Sequence, residues 1–230
     1  MPFRNDTLPN VGPFNRTQDV FSIRPVVPIS VNAQWNIISR TIIPVMTSQP
    51  NPLIDSNTNG MGDITEQLFL SPVDSGIKDL YGGFGPVITM PSASDAILGT
   101  GKLLLGPTFA LFYRPDHWVV GLIANNQWSV AGAPGRTSVN LLTAEPVITY
   151  NIPGGEGWYV VSSPVVTADW RAAPGQQWTV PVGGGFGRVF RVSDQPIDAS
   201  VQGFYHVVRP DNGPTWSLRV ARCHSCSLDR

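Results

Sequence analysis

Charged residues are scarce in this chain. Asp, Glu, Lys and Arg make up 13% of its 230 residues, against roughly 25% in typical soluble domains. Hydrophobic residues stay at an ordinary 42%, so the missing charge is replaced mainly by Gly (23), Pro (22) and uncharged polar residues. A soluble protein needs a charged outer surface, whereas a β-barrel in lipid carries its charges in the lumen and the loops. The composition therefore favours a barrel in a membrane.

Several other absences exclude whole classes of protein. No apolar run reaches about 18 residues, which excludes a transmembrane helix. The net charge of -1 and the pI of about 6.3 exclude a basic face for nucleic acid. The first residues, MPFRNDTLPN, are polar and contain Pro, so we expect no signal peptide there. Cysteine occurs only at Cys223 and Cys226, and a cysteine-poor chain suits an envelope protein.

Short segments rich in β-branched and aromatic residues fill the chain, separated by clusters of Gly, Pro, Asn, Asp and Ser, which is the pattern of strands and turns. Strands are predicted near residues 18–29, 33–46, 61–71, 80–90, 102–114, 117–131, 139–151, 157–170, 176–192, 199–210 and 214–222, with a further one at 2–12. Many exceed the roughly 5–6 residues usual in globular proteins. We predict an all-β fold, an antiparallel up-and-down β-barrel of about 12 strands of the outer-membrane type. Residues 1–222 would form this single domain and residues 223–230 a flexible tail.

The segment from His117 to Ala131 carries the clearest alternation. One face holds Trp118, Val120, Leu122, Ala124, Asn126, Trp128 and Val130, and the other is more polar. The two Trp lie ten positions apart, about 33 Å along a strand. With a strand tilt near 40° this projects to about 25 Å, the height of an outer apolar band with its aromatic girdles. A sandwich strand with two core tryptophans is the alternative.

The polar faces of the predicted strands carry few charges. Those assigned to the lumen are Arg40, Asp63, Arg114, Glu145 and Asp169. Rings of charge in a lumen can select the solute that passes, or opposite charges can pair and plug a narrow barrel. A 12-stranded barrel lies between side-chain-filled and open barrels, so both interpretations stand.

Residues 55–66 match a calcium-loop spacing, with oxygen ligands on alternate residues, a Gly at the turn and a closing Glu. The candidate ligands are Asp55, Asn57, Asn59, Met61, Asp63 and Glu66. Pro50 and Pro52 precede the segment and a strand follows it, so the helices of a calcium hand are missing. Asn and Gly are also what a hairpin tip requires without any metal. Calcium is the one cofactor candidate.

A hydrolase site is the second chemical hypothesis. His206 could act with Ser163 and Asp169, since such triads are defined by geometry and not by chain order. The alternative is a single histidine hydrogen-bonded within the barrel. Cys223-His224-Ser225-Cys226 resembles half of a metal site, but no fourth ligand is evident and a tail segment is the preferred interpretation.

Several phrases of the sequence carry a family resemblance. The segments NVGPFNRTQDVFSIRPVVPISVNAQWNIISRTIIPVM, GMGDITEQLFLSP, GGFGPVITMPSASDAILGTGKLLLGPTFALF, WVVGLIANNQWSVAG and QWTVPVGGGFGRVF resemble an uncharacterised family of bacterial outer-membrane, transporter-like β-barrels, sometimes grouped with phenol-degradation proteins as channels. The resemblance covers roughly residues 2–220. It implies a barrel of about 12 strands, a cleaved signal and a bacterial outer-membrane location. The chain departs from the family at both ends, where Met1 stands almost inside the first strand and CHSCSLDR replaces an aromatic final strand. A truncated or mis-started chain would explain both differences.

The residues and the resemblance together predict an outer-membrane channel or transporter for small solutes, with a lipid bilayer as its surroundings and no nucleic-acid partner. Two alternatives stay open. One is a barrel hydrolase acting on an ester or lactone, with or without calcium. The other is an envelope scaffold without catalysis. Neither the solute nor the oligomeric state follows from the sequence.

Overall fold

The computed structural model describes residues 2–193 and 195–224, and its secondary structure is entirely β. The strands are β1 (Phe3–Val11), β2 (Arg16–Ile23), β3 (Val26–Ser30), β4 (Trp35–Pro50), β5 (Asn57–Gly60), β6 (Ile64–Pro72), β7 (Leu80–Met90), β8 (Lys102–Tyr113), β9 (Trp118–Gly132), β10 (Asn140–Asn151), β11 (Trp158–Ser162), β12 (Val166–Asp169), β13 (Trp178–Val192), β14 (Gln195–Val208) and β15 (Trp216–His224). Within these residues no helix is long and apolar enough to cross a membrane.

The sheet closes on itself. Antiparallel pairing runs in the order β1, β2, β4, β6, β7, β8, β9, β10, β12, β13, β14 and β15, and β15 pairs back to β1. The result is a closed barrel of twelve strands, as the sequence predicted. Its last strand reaches His224, so residues 223 and 224, which were assigned to the tail, belong to β15. Residues 225–230 of the predicted tail lie outside the described part of the chain.

Three short strands, β3, β5 and β11, are not counted among the twelve. Each continues the line of one of the twelve strands along the same neighbouring strand. β3 pairs with β4 in the register that β2 began, because Ile23 faces Ile43 and Val26 faces Arg40. In the same way β5 extends β6 along β4, and β11 and β12 share one position between β10 and β13. We call the few residues between the two strands of each such pair a break. Residues from all three breaks line the cavity in the lumen.

Alternation along the strands separates an apolar outer wall from a polar lumen. In β9 the outward side chains of Trp118, Val120 and Trp128 are between 43% and 46% exposed, whereas the inward Asn125 and Gln127 are 8% and 7% exposed. This confirms the predicted face and excludes a sandwich core. The barrel thus presents its apolar residues to the surroundings and keeps its amides inside.

Aromatic side chains mark both ends of the outer wall. We call the end that holds the first residue of β1 and the last of β15 the lower end, and the opposite end the upper end. Exposed aromatic residues near the lower end are Tyr81, Tyr113, Trp118 and Trp158, and those near the upper end are Trp128, Trp170, Trp178, Tyr205 and Trp216. Two guanidinium groups, of Arg114 and Arg188, lie over the lower rings of Tyr81 and Trp158 at 5.6 and 5.4 Å.

Inward glycines of β13 allow groups of the neighbouring strands to lie close to its backbone. A Cβ added at Gly187 would lie 2.3 Å from the ring of Tyr159, whose hydroxyl donates a hydrogen bond to Asp198. A Cβ at Gly185 would lie 1.8 Å from the carbonyl oxygen of Val201. The glycine run in β13 therefore serves close approach, one of the roles of strand glycine.

Candidate functional site: a charged partition in the lumen

The largest described cavity, of about 800 Å³, lies in the lumen. Polar side chains and apolar side chains both line it, and its lower part is bounded by ionised groups. We call these groups the charged partition, and its members are Arg4, Asp6, Arg24, Arg40, Glu145 and Arg219. They come from the adjacent positions of β15, β1, the break between β2 and β3, and β4, and from β10 on another part of the wall.

Asp6 is the first of two acidic centres in the partition. Its carboxylate lies 2.5 Å from Nε of Arg4 and 2.8 Å from Nε of Arg219. The guanidinium of Arg24 is farther away, at 3.9 Å. Asp6 thus ties neighbouring strands β1 and β15 together and leaves Arg24 beyond hydrogen-bond distance.

Glu145 is the second acidic centre and bridges the lumen. One of its oxygens lies 2.9 Å from Nη1 of Arg4 and the other 3.3 Å from Nη2 of Arg40. Arg219 approaches it to 3.8 Å. Because β10 lies five positions from β1 by the shorter way round the barrel, these ion pairs join distant parts of the wall and narrow the lumen between them.

The partition separates two spaces. Arg4, Arg24 and Arg40 line the large cavity above and also a smaller pocket of about 250 Å³ below, next to Asp198 and Arg222. A solute that passes along the lumen must therefore pass these three guanidinium groups.

The charges of the partition do not balance. Four arginines face two carboxylates, and the side chains are only 7% to 18% exposed. Buried charge is costly unless it is paired. Arg24 is the least compensated, since among the described residues its guanidinium makes one hydrogen bond, from Nε to the hydroxyl of Ser22 at 2.9 Å. The partition has a surplus of positive charge.

Neutral polar groups continue the network upward. Nη1 of Arg40 donates to Oε1 of Gln67 at 2.6 Å, and the amide of Gln67 donates to Thr108 at 3.3 Å. The hydroxyl of Thr89 donates to Gln127 at 2.7 Å. These buried partners satisfy one another, which makes such networks rigid and specific.

The loop between β7 and β8, residues 91–101, folds over the lumen from the upper end. Asp63 holds it, accepting hydrogen bonds from the backbone N–H of Ala93 at 3.1 Å and of Thr100 at 2.7 Å. Arg136 donates to the carbonyl oxygens of Ala96 and Thr100. Residues 97–100 consequently line the large cavity and form its upper boundary.

The predicted lumen charges occupy different places. Arg40, Asp63 and Glu145 line the large cavity. Arg114 lies just beyond the lower end of β8, over the outward ring of Tyr81. Asp169 ends β12 at the upper rim, where its exposed carboxylate accepts the backbone N–H of Arg171 at 2.9 Å. The ion pair of Arg40 and Glu145 is the pairing of opposite charge that the plug interpretation requires.

The calcium candidates extend from Asp55 in the loop before β5, through β5 and the following break, to Glu66 in β6, and several make other contacts. Asp55 pairs with Arg16 at 2.8 Å, and Asn57 accepts from the same guanidinium at 2.6 Å. Glu66 accepts the hydroxyls of Ser39 and Thr41 at 2.5 and 2.6 Å. Over the described ranges no group of three or more His, Cys, Asp and Glu has the arrangement of a metal site. Calcium binding through Asp55, Asn57, Asn59, Met61, Asp63 and Glu66 stays a prediction.

The hydrolase candidates bond to other groups. Nε2 of His206 lies 3.0 Å from the hydroxyl of Ser217. The hydroxyl of Ser163 donates to Gln202 at 3.1 Å, and its carbonyl oxygen accepts from Arg219. Hydrolysis by His206, Ser163 and Asp169 stays a prediction, and the hydrogen bonds shown for them do not link the three.

Sequence reasoning missed Arg4, Asp6, Arg24 and Arg219. The signal was present, because β1 alternates Arg4 and Asp6 with Phe3 and Asn5, and β15 places Arg219 between two apolar residues. Applying the inward and outward alternation to the first and last strands would have found three of the four. Arg24 lies in a break before Pro25, where alternation gives no guidance.

No protein-family model matches the chain, and no curated protein matches it. The structure by itself defines a closed antiparallel β-barrel with an apolar outside and a charged, partitioned lumen.

Proposed function

We propose that this chain is an outer-membrane-type β-barrel that spans a lipid bilayer and passes small solutes through its lumen. The observation that carries the proposal is the inverted distribution of side chains, with mainly apolar residues outside and paired charges inside. The outward carboxylates of Asp19 and Glu66 accept hydrogen bonds from neighbouring hydroxyl groups. Water would disfavour such an outer wall, since large exposed apolar areas on soluble proteins are normally limited to interaction sites. A closed barrel leaves no unpaired sheet edge, which is what crossing a bilayer requires.

The two sets of aromatic side chains support a membrane position. Trp118 and Trp128 mark the lower and upper levels on a single strand, ten residues apart. Aromatic girdles of this kind lie at both interfaces of membrane barrels, around an apolar band about 25 Å tall. Arg114 and Arg188, over lower-end rings, can reach the headgroup region by extending their side chains.

Connection lengths suggest an orientation. Lower-end connections include residues 31–34, 73–79, 114–117 and 152–157. Upper-end connections range from the short 12–15 and 51–56 to the longer 91–101, 133–139, 170–177 and 209–215. Outer-membrane barrels have short periplasmic turns and longer extracellular loops. We therefore place the upper end outside the cell and the lower end in the periplasm.

A polar stretch interrupts the outer wall near β1, β2, β4 and β5. Asn5, Asp19, Ser48 and Asn59 line an outward groove there. The carboxylate of Asp19 accepts a hydrogen bond of 2.5 Å from Thr7, so the charge has a polar partner. The groove runs from Asn5, beside the partition residues Arg4 and Asp6, up to Asn59 in β5, and we assign its upper part to the interfacial side of the bilayer.

Conductance in planar lipid bilayers tests the proposal. Because the partition narrows the lumen, we expect small conductance steps for the wild-type chain and larger steps for the double variant Arg40→Ala/Glu145→Ala, which removes two side chains that bridge the lumen. Changing both partners avoids leaving one buried charge unpaired with the other. The control is Glu156→Ala/Arg188→Ala, whose ion pair has the same 3.3 Å separation at the lower rim.

The control variant should conduct as the wild type does. Absence of steps from every folded, inserted sample would contradict the channel. Steps of equal size in the wild type and the double variant would place the conducting path elsewhere than through the partition.

A further inference from the structure

The surplus cations of the partition define the chemistry of a ligand. Asp6 and Glu145 together neutralise two of the four arginines, and the side chains involved are largely buried. A negatively charged group that enters the lumen would offset the remaining charge and gain charge-assisted hydrogen bonds. Guanidinium groups suit carboxylates and phosphates in particular, because their planar N–H fork matches two oxygens.

Arg24 is the group with free capacity. Its Nη2 is 3.9 Å from Asp6, beyond a hydrogen bond, and its Nε donates to Ser22. In the part of the chain that the structure describes, no hydrogen bond is made by its two Nη groups. Arg24 borders both the large cavity and the lower pocket, so an anion could reach it from either side.

Three apolar side chains form a collar above the arginines, with Asp6 and Ser22 at the level between them. Leu8 is the second inward residue after Arg4 on β1, Val20 the second before Arg24 on the descending β2 and its break, and Ile42 the first after Arg40 on β4, all facing the same cavity. Two to four strand residues separate each pair, which is about 7 to 13 Å. A molecule of that length would meet guanidinium groups at one end and aliphatic carbon at the other.

From this arrangement we infer that the partition binds a small organic anion, with its carboxylate on Arg24 and Arg40 and an apolar body against Leu8, Val20 and Ile42. The inference rests on the proposed function, because it takes the lumen to be the path of the solute. It adds the class of solute, namely a short-chain aliphatic carboxylate. Inorganic anions satisfy the arginines but leave the collar empty.

Equilibrium binding to the refolded full chain in detergent tests the inference, with hexanoate, acetate and hexanamide as probes in isothermal titration calorimetry. Hexanoate should bind most tightly. Acetate should bind more weakly, by up to roughly fourfold for each methylene that it lacks, because burying a methylene group is favourable. Hexanamide has the same apolar body without charge and should bind little.

Variants then locate the site. Arg24→Gln should weaken hexanoate binding by roughly tenfold to a hundredfold, the effect of losing a hydrogen bond to a charged group. Arg24→Lys should recover part of the affinity, since it keeps the charge. Arg188→Gln on the outer wall is the control and should bind as the wild type does.

Equal binding of hexanamide and hexanoate, equal binding of acetate and hexanoate, or no binding of hexanoate would each overturn the inference. These three comparisons use only the unmodified chain, so they test the inference even if the Arg24→Gln variant does not fold. Undiminished binding by a folded Arg24→Gln variant would also overturn it. Binding and conductance are measured separately. If hexanoate does not bind but the chain conducts, only the anion site is contradicted. If hexanoate binds but the chain does not conduct, only the channel is contradicted.

Discussion

The burial of an ion pair in this barrel, more than the distance between its charged atoms, determines how much the pair contributes to stability. The ion pairs Arg40–Glu145 and Arg188–Glu156 both measure 3.3 Å. The first pair has side chains 15% and 14% exposed, and the second 39% and 83%. Exposed pairs contribute about 0–1 kcal/mol because water screens them, whereas breaking a buried pair leaves an uncompensated charge. The same geometry therefore carries different energies at the two places.

Glu145→Gln tests this difference. The substitution keeps the shape of the side chain but removes the charge that three arginines approach. We expect a loss of about 3–5 kcal/mol in the free energy of unfolding, measured by urea titration of the refolded chain in lipid or detergent.

Glu156→Gln is the matched control, and its cost should stay within about 1 kcal/mol. Similar costs for the two variants would mean that water screens the charges of the partition as it screens an exposed pair.

At the level of strands, alternation was sufficient to predict most of the wall. The outward face of β9 and the inward Glu145 of β10 were both foreseen, because period-two patterning survives wherever a strand is long and unbroken. Alternation does not predict which way a side chain points where a strand is interrupted. Arg24 enters the lumen from a gap between β2 and β3, and Ser163 and Val165 turn inward between β11 and β12. Which way such residues turn depends on the strands that lie across the lumen.

Gly106→Ala tests how tightly β8 and β9 approach. A Cβ at Gly106 would lie 1.7 Å from the backbone carbonyl oxygen of Asn126, and backbone cannot move aside as a flexible side chain can. We expect a loss of at least about 1–3 kcal/mol in the free energy of unfolding, as for overpacking, or failure to form the heat-resistant folded band on a detergent gel.

Gly203→Ala serves as its counterpart, because Gly203 is also inside a strand but a Cβ there meets nothing within 4 Å. That variant should fold with unchanged or slightly higher stability. Equal tolerance of both substitutions would show that the close approach of β8 and β9 is not required.

For the whole molecule, composition and strand length predicted the class of fold, while chemistry had to come from the structure. Scarce charge and long strands were enough for a closed barrel of twelve strands. The partition was not foreseeable as a unit, since Arg4 and Arg219 belong to opposite ends of the chain and meet only because β1 pairs with β15. Local patterns such as residues 55–66 gave sharper hypotheses, yet the carboxylates there bond to neighbouring side chains and loops.

The central claim is that the outer wall faces lipid, because both the channel and the anion site presuppose it. Tryptophan fluorescence tests this directly, since Trp118, Trp128, Trp158, Trp170, Trp178 and Trp216 are all between 38% and 46% exposed near the ends of the wall. The refolded chain is placed in vesicles whose lipids carry bromine either near the headgroup or near the end of the acyl chain. We predict strong quenching by both lipids, greater for bromine near the headgroup, and weak quenching by aqueous iodide. Fluorescence that iodide quenches readily and that neither brominated lipid affects would contradict the account.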